Sequence, residues 1–350
     1  MICLDQLSIP IIQAPMAGGP STPELAAAVT EAGGLGFLAA GYLTADQVRE
    51  QIEAVRSRTA RPFGVNIFLP EAEPTDPRQL RAYAEALEPL RRKYGVAAAS
   101  SLPEYSDDDY AAKLDLLLEN PVPVVSFTFG LPEVGVIRGL QRQGSFVILN
   151  ATSDDELEAA QTLEPDALVV QSAEAGGHRA SHTQRALPDH RLLIDMLRSA
   201  RQLTTLPVIA AGGVSTADEV RRLIDAGAAA VQVGTAFAVA EEAGTNPVHR
   251  RALLEVGSGA RSAETVVTRV FSGRAARALS NAWTRELAAE QIPGYPQVHY
   301  LTAPLRAAGK TADDPDGVNL WAGTGAGSIL PGRAEQILRR LDPVAHDTVR

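Results

Sequence analysis

The chain has 350 residues, 45% hydrophobic and 21% charged, an ordinary globular composition that excludes disordered and fibrous classes. Lysine and arginine number 32 against 42 aspartates and glutamates, a net charge of −10. An acidic surface repels phosphate backbones, so no nucleic-acid partner is expected and any anionic ligand needs local donors.

The opening segment Met1-Ile2-Cys3-Leu4-Asp5 lacks a basic stretch leading into a long apolar one, so no secretory signal is expected. Cys3 is the single cysteine, which leaves no internal disulfide, zinc ribbon or iron–sulfur ligation. No apolar run approaches the ~20 residues of a membrane helix. The expectation is a cytoplasmic protein with no membrane partner.

The first strand, Pro10–Ala14, runs into Ala14-Pro15-Met16-Ala17-Gly18-Gly19-Pro20, an extended loop with backbone groups open to a planar ligand. Thr22 caps a helix that Pro23 starts and Gly33 ends. The second strand is Leu35–Ala40. Gly34-Leu-Gly36-Phe-Leu-Ala39 fits the dinucleotide fingerprint, but it leaves a helix and enters a strand, the reverse of what that fingerprint needs. Thr44 and Gln47 form a capping box for the next helix.

The third strand, Phe63–Phe68, carries Asn66, an amide that needs a hydrogen-bond partner inside an apolar run, a ligand being one candidate. Leu69–Pro121 is a long helical insertion in which Glu71-Ala-Glu73-Pro74 and Asp107-Asp108-Asp109 read as solvated stretches. The strands Val122–Phe127 and Ser145–Leu149 follow, then a capping box at Ser153 and Glu156.

The sixth strand, Ala167–Gln171, leads into Ser172-Ala-Glu-Ala-Gly176-Gly177-His178-Arg179. An imidazole just past a strand-end glycine pair suits a general base or a hydrogen-bond donor to a developing anion. His178 and His182 are four apart, but no cysteine or suitable carboxylate completes a metal set, so no metal is expected. The seventh strand, Pro207–Ala211, exits through Gly212-Gly213-Val214-Ser215, with Ser215 and Asp218 read as a capping box. The eighth, Ala229–Val233, exits through Gln232-Val233-Gly234-Thr235. Glycines there let backbone N–H groups approach a phosphate, and the helix N-terminus adds positive potential.

Eight nearly continuous apolar strands with helices between them predict a (β/α)8 TIM barrel, with a doubly wound open sheet as the alternative. Residues 1–240 would form the barrel, including the helical insertion 69–121. Residues 241–350 would supply a C-terminal helix and a lid-like subdomain over the barrel mouth. In such barrels catalytic groups sit at the C-terminal ends of strands, and phosphate sites lie after strands seven and eight.

The sequence resembles the nitronate monooxygenases, formerly called 2-nitropropane dioxygenases, over nearly its whole length. The resemblance rests on Gln13-Ala-Pro-Met-Ala-Gly-Gly19, Ala32-Gly-Gly-Leu-Gly36, Gly64-Val-Asn66, Gln171-Ser-Ala-Glu-Ala-Gly-Gly-His178, Ala210-Ala-Gly-Gly213 and Val231-Gln-Val-Gly-Thr-Ala-Phe237. Phe271-Ser-Gly-Arg274, Ala276-Arg277, Leu301-Thr-Ala-Pro-Leu-Arg306 and Trp321-Ala-Gly-Thr-Gly325 are similar to C-terminal signatures of the bacterial class I enzymes.

This resemblance implies FMN as cofactor, bound by Ala14, Pro15, Met16, Asn66, Gln171, Gly176 and Gly177. The phosphate would lie between Gly212-Gly213 and Gln232, Gly234 and Thr235. It implies oxidation of an alkyl nitronate by O2 to a carbonyl compound and nitrite, with His178 as the active-site histidine. Tyr295 and Arg306 are candidates for lining the mouth. Ala180 stands where the family often has glycine, and Thr128 where some members carry a second histidine. The alternative on the same barrel is an FMN-dependent NAD(P)H reductase acting on enoyl-acyl carrier protein or quinones; a non-enzymatic flavin scaffold has no positive support. An oligomer is compatible with the apolar helix faces.

Overall fold

The computed structural model describes residues 4–186 and 188–344; Cys3 lies outside them. The strands, in chain order, are β1 (Ile11–Gln13), β2 (Phe37–Ala39), β3 (Gly64–Phe68), β4 (Val124–Thr128), β5 (Phe146–Ala151), β6 (Ala167–Gln171), β7 (Gly177–His178), β8 (Val208–Ala211), β9 (Ala230–Val233), β10 (Thr265–Thr268) and β11 (Ala276–Leu279). Eight of them form one parallel sheet in the order β1-β9-β8-β6-β5-β4-β3-β2. Leu35 N–H donates to the Ile11 carbonyl at 3.0 Å and Gln13 N–H to the Leu35 carbonyl at 2.9 Å, which joins the two ends. The sheet is a (β/α)8 TIM barrel, and the open-sheet alternative is excluded.

The near-continuous apolar runs follow from burial on both faces. Alternate residues Ile12, Phe37, Val124, Ile148, Val169 and Ile209 fill the barrel interior. Their neighbours, such as Val65, Val125, Leu168 and Val170, face the surrounding helices. Thr22 accepts from Leu25 N–H, and the Thr44–Gln47 capping box forms as read. At Ser153 only half a box forms, because the Glu156 carboxylate binds the Thr152 N–H and hydroxyl instead. The Ser215–Asp218 box is displaced by one residue: Thr216 is the cap, and Glu219, one methylene longer than Asp218, reaches back to both Ser215 N–H and Thr216 N–H.

After β3 the chain forms helices Pro77–Ala86, Glu88–Tyr94 and Tyr110–Glu119. The third of these packs in the barrel ring against helices Ala45–Arg56 and Val134–Arg142. The first two share a core with the C-terminal half: Leu80, Tyr83, Leu87 and Leu90 pack with Phe271, Trp283, Val298, Leu301 and Leu305. The chain then returns, and helix Ala334–Leu341 seats against helices Pro23–Glu31 and Ala217–Asp225 in the ring. Everything from 241 to 333 is thus threaded between the last barrel strand and the helix in that position. Among the described residues no helix is long and apolar enough to cross a membrane.

Candidate active site

A cavity of about 230 Å³ opens at the C-terminal ends of the barrel strands. It is lined by Ala14, Pro15, Met16, Asn66, Gln171, Gly176, Gly177, His178, Gly212, Gly213, Gln232, Gly234, Thr235 and Arg306. The structure therefore brings together every candidate residue from the sequence except Tyr295, which packs behind the surface, its ring 5.2 Å from that of Phe129.

One end of the cavity is built from backbone. Gly212 and Gly213 leave β8 at φ +132 and +73, a region in which side chains are strained. A Cβ on Gly213 would also come within 2.6 Å of Thr324 Oγ1. Gly234 is different: its φ lies outside the left-handed region, and a Cβ there would meet Ala14 Cβ at an ordinary 3.5 Å. Among the described residues the N–H groups of Gly213, Gly234 and Thr235 find no acceptor. All three residues are half-buried along the cavity wall. The segment Gly323–Gly325 walls this end: Gly323 N–H donates to Thr235 Oγ1 and Thr324 N–H to the Glu174 carbonyl, both at 3.0 Å. The motif around Trp321 stood out in the sequence, but nothing local tied it to the glycines of 212–235.

The other end is built from side chains. Asn66 lies deep in β3, where its Nδ2 donates to Ser126 Oγ and Thr128 Oγ1 at 2.9 Å, leaving Oδ1 for a donor from the cavity. Gln171 is engaged at both amide ends, donating to the His178 carbonyl at 3.1 Å and accepting from Ala180 N–H at 2.9 Å. It holds the His178 segment in place. Thr128 and Ala180, the two departures from the family pattern, are thus both hydrogen-bonded within the site.

His178 sits on β7, not on a helix, and β7 pairs antiparallel with β11 in a small three-stranded sheet. Its Nε2 lies 2.8 Å from Ser272 Oγ. Aromatic rings of Trp321, Phe129 and Tyr295 surround it at 5.3, 5.7 and 6.1 Å. Burial, reinforced by the positive charges of Arg274 and Arg306, pushes its pKa from 6.5 down to about 3.

Arg274 is fully buried, stacked 4.1 Å over the Phe129 ring, and paired with the carboxylate of Glu71. This overturns the solvated expectation at Glu71, while Ala72 and Pro74 beside it are exposed. In the Asp107–Asp109 segment Asp107 and Asp109 are exposed as expected, and only Asp108 is half-buried, ion-paired at 2.8 Å with the buried ammonium of Lys113. Sequence alone reads charges as exposed because burying an unpaired one is costly. Here Arg274 comes from 203 residues away, while Lys113 lies five residues from Asp108.

Arg306 is buried with no carboxylate partner among the described residues. It donates to Thr302 Oγ1, Asn319 Oδ1, the His299 carbonyl and His299 Nδ1. Burial lowers its pKa to about 10. Lys310, one turn further along helix Gln297–Thr311, also lines the cavity and is lowered by burial and by Arg306. His299, Lys310, Tyr42, Phe129 and His249, none of them a candidate from the sequence, also line the cavity, as do Ser272 and Trp321, which the sequence marked only as parts of motifs. The spacing of His299, Arg306 and Lys310 marks one helix face, a signal that becomes useful once that helix is known to cover the barrel mouth.

The family model for nitronate monooxygenase matches residues 3–341. The chain is 37% identical over 337 residues to a nitronate monooxygenase of Pseudomonas aeruginosa, covering 95% of each chain. It is 36% identical over 342 residues to a probable nitronate monooxygenase of Bacillus subtilis, covering 96% of this chain and 95% of the other. The solved structure of a nitroalkane oxidase from Streptomyces ansochromogenes superposes with a TM-score of 0.90 at 39% identity, covering 99% of both chains. A whole-length family match, relatives above one-third identity and a shared barrel agree: the chain is an oxidoreductase that belongs to the nitronate monooxygenase family.

Proposed function

We propose that this enzyme binds FMN and oxidises alkyl nitronates with O2, releasing a carbonyl compound and nitrite. The observation that carries the reading is one cavity that joins a backbone cradle for a phosphate to a chamber holding a neutral histidine and an uncompensated buried cation. The residues fit the cofactor. The free N–H groups of Gly213, Gly234 and Thr235 suit phosphate oxygens, and the left-handed Gly212-Gly213 turn admits close approach. Ala14, Pro15, Met16, Gly176, Gly177 and Gln232 offer low walls to a planar ring, and Asn66 Oδ1 offers an acceptor. When bound, the isoalloxazine supplies the electron-accepting chemistry.

The chain's own groups favour an anionic, already deprotonated substrate. With its pKa near 3, His178 is neutral at physiological pH, and so weak a base is poorly matched to removing a carbon-bound proton. A nitronate needs no such removal. The neutral ring orients it through one ring nitrogen while Ser272 fixes the other. Arg306, with no carboxylate to neutralise it, supplies positive potential toward an anion despite the acidic surface. Trp321, Phe129 and Tyr295 exclude water around the ring.

Anaerobic addition of a nitronate to the purified protein should bleach its flavin, and oxygen should restore the colour with release of nitrite. Bleaching by NADPH but not by nitronate would establish the reductase reading instead. Heat release of FAD, or no flavin at all, would overturn the assignment of FMN.

A further inference from the structure

A second histidine in the chamber has no part in the reading above. His299 lies on helix Gln297–Thr311, lines the cavity and stacks face to face on the Tyr42 ring, with centroids 4.1 Å apart and planes within 4°. Tyr300 lies edge-on to it at 5.4 Å. Tyr42 is itself pinned: it holds φ +68 while its N–H donates at 2.8 Å to Asp108 Oδ1, and the buried Lys113 ammonium holds the other oxygen of that carboxylate.

Chemistry fixes which nitrogen of His299 carries the proton. Arg306 Nη2 lies 3.3 Å from Nδ1, and a guanidinium is donor only. Nδ1 is therefore the acceptor, and in the neutral ring the proton sits on Nε2. Burial, then the charge of Arg306, holds the ring's pKa well below 6.5, which keeps it neutral. Among the described residues Nε2 has no hydrogen-bond partner. The ring is a rigid N–H donor with no acceptor among the described residues.

We propose that His299 is a substrate-orienting residue, whose Nε2–H donates a hydrogen bond to an oxygen of the bound nitronate, alongside His178. This rests on the nitronate reading. Arg306 then has two effects: it attracts the anion and it sets the tautomer of His299. The Asp108–Lys113 pair acts further out, by fixing the Tyr42 platform on which the imidazole rests.

The test uses the flavin-loaded enzyme, a nitronate as substrate and nitrite as an unreactive anionic probe. His299→Phe keeps an aromatic face for Tyr42 but removes the donor. It should raise KM for the nitronate and Kd for nitrite by about 10- to 100-fold, the range of one hydrogen bond to a charged group, with kcat and flavin content little changed. His299→Gln, which carries both an acceptor and a donor, should recover most of the affinity. In the wild-type enzyme labelled with 15N-histidine, nitrite should shift the Nε2 resonance of His299 even if both variants fold poorly. Wild-type nitrite affinity in His299→Phe, or a His299 resonance that nitrite leaves unmoved, overturns the proposal. Loss of nitrite binding in His299→Phe from an enzyme that turns over no nitronate would support the donor and overturn the substrate reading instead.

Discussion

The two ends of the cavity are made in different ways. The cradle is backbone: Gly212-Gly213 and Gly234-Thr235 follow adjacent strands β8 and β9, and the segment around Gly323 braces them. The chamber is side chains, each delivered by a different part of the chain: Tyr42 after β2, Phe129 after β4, His178 on β7, Ser272 before β11, and His299 and Arg306 on a late helix. A backbone site depends on conformation at a few glycines. A side-chain site depends on every contact that brings distant segments together. The cradle should therefore fail locally and the chamber globally.

The largest effect is expected where the chamber's distant segments are tied. Glu71→Gln leaves the fully buried guanidinium of Arg274 without its carboxylate, and stripping one partner from a buried pair costs about 3–5 kcal/mol. Urea unfolding should show that loss, together with weakened nitronate binding, since Arg274 carries the Phe129 ring. A variant as stable as wild type would show that the insertion does not hold the chamber.

The cradle should break with less damage. Gly213→Val places a branched side chain at φ +73, with Thr324 and Glu174 already in the way. Strain of this kind is of order 1–3 kcal/mol, so FMN affinity should fall about 100-fold while the barrel remains folded. Gly234→Ala has ordinary room and no φ constraint, so folded stability should stay within about 0.5 kcal/mol. Fluorescence titration of the flavin-free protein with FMN separates the two. Equal FMN affinity in Gly213→Val and wild type would place the phosphate elsewhere.

Arg306→Met tests the chamber's charge together with the hydrogen bonds that Arg306 makes to Thr302, Asn319 and His299. Methionine removes a buried cation but leaves those acceptors without their donor, so stability should fall by about 1–3 kcal/mol. Turnover of the anionic substrate should fall by about 100-fold in kcat/KM, comparable to losing one charge-directed contact. If kcat/KM is kept, the positive potential comes from Lys310 and Arg274 alone.

How much of this was legible in the sequence follows the same division. The strands were readable because burial on both faces leaves an unbroken apolar run, as in Val122–Phe127 and Ala167–Gln171. That the glycines of 212–235 and His178 gather at one cavity was readable because they sit where strands end. Glu71 was misread because what buries it lies far off, Arg274 being 203 residues away. Asp108 was misread because it also accepts from the Tyr42 N–H, 66 residues away, although its ionic partner Lys113 is only five residues on. Ser215 and Asp218 were misread by one position, because Glu219 offers the longer reach to the turn. Tyr42 is not signalled, and His299 only by its shared helix face with Arg306 and Lys310, since nothing in either local segment encodes a stack between residues so distant in the chain.

Acid should separate the two ends with the smallest effect. The chamber side holds three histidines kept neutral by burial: His178, His249 and His299. The cradle segments Gly212–Ser215 and Gly234–Thr235 contain none. His249 is the most enclosed, with Nε2–H donating to the Trp321 carbonyl at 2.8 Å, and burial lowers its pKa from 6.5 to about 4. Between those values the unfolded chain binds a proton that the folded chain does not, so stability falls as pH drops through that window. The contribution is present above pH 6.5, has fallen by about 2 kcal/mol at pH 5, and levels off below pH 4, where both states are protonated. His249→Gln keeps a donor for Trp321 and removes the titration. Urea unfolding at about pH 8 and about pH 5 should therefore show a loss in the variant smaller by about 2 kcal/mol than in wild type, the remainder coming from His178, His299 and the carboxylates. Parallel losses in the two proteins would mean that His249 takes up its proton equally in the folded and unfolded states, and that acid reaches the chamber through the other two rings.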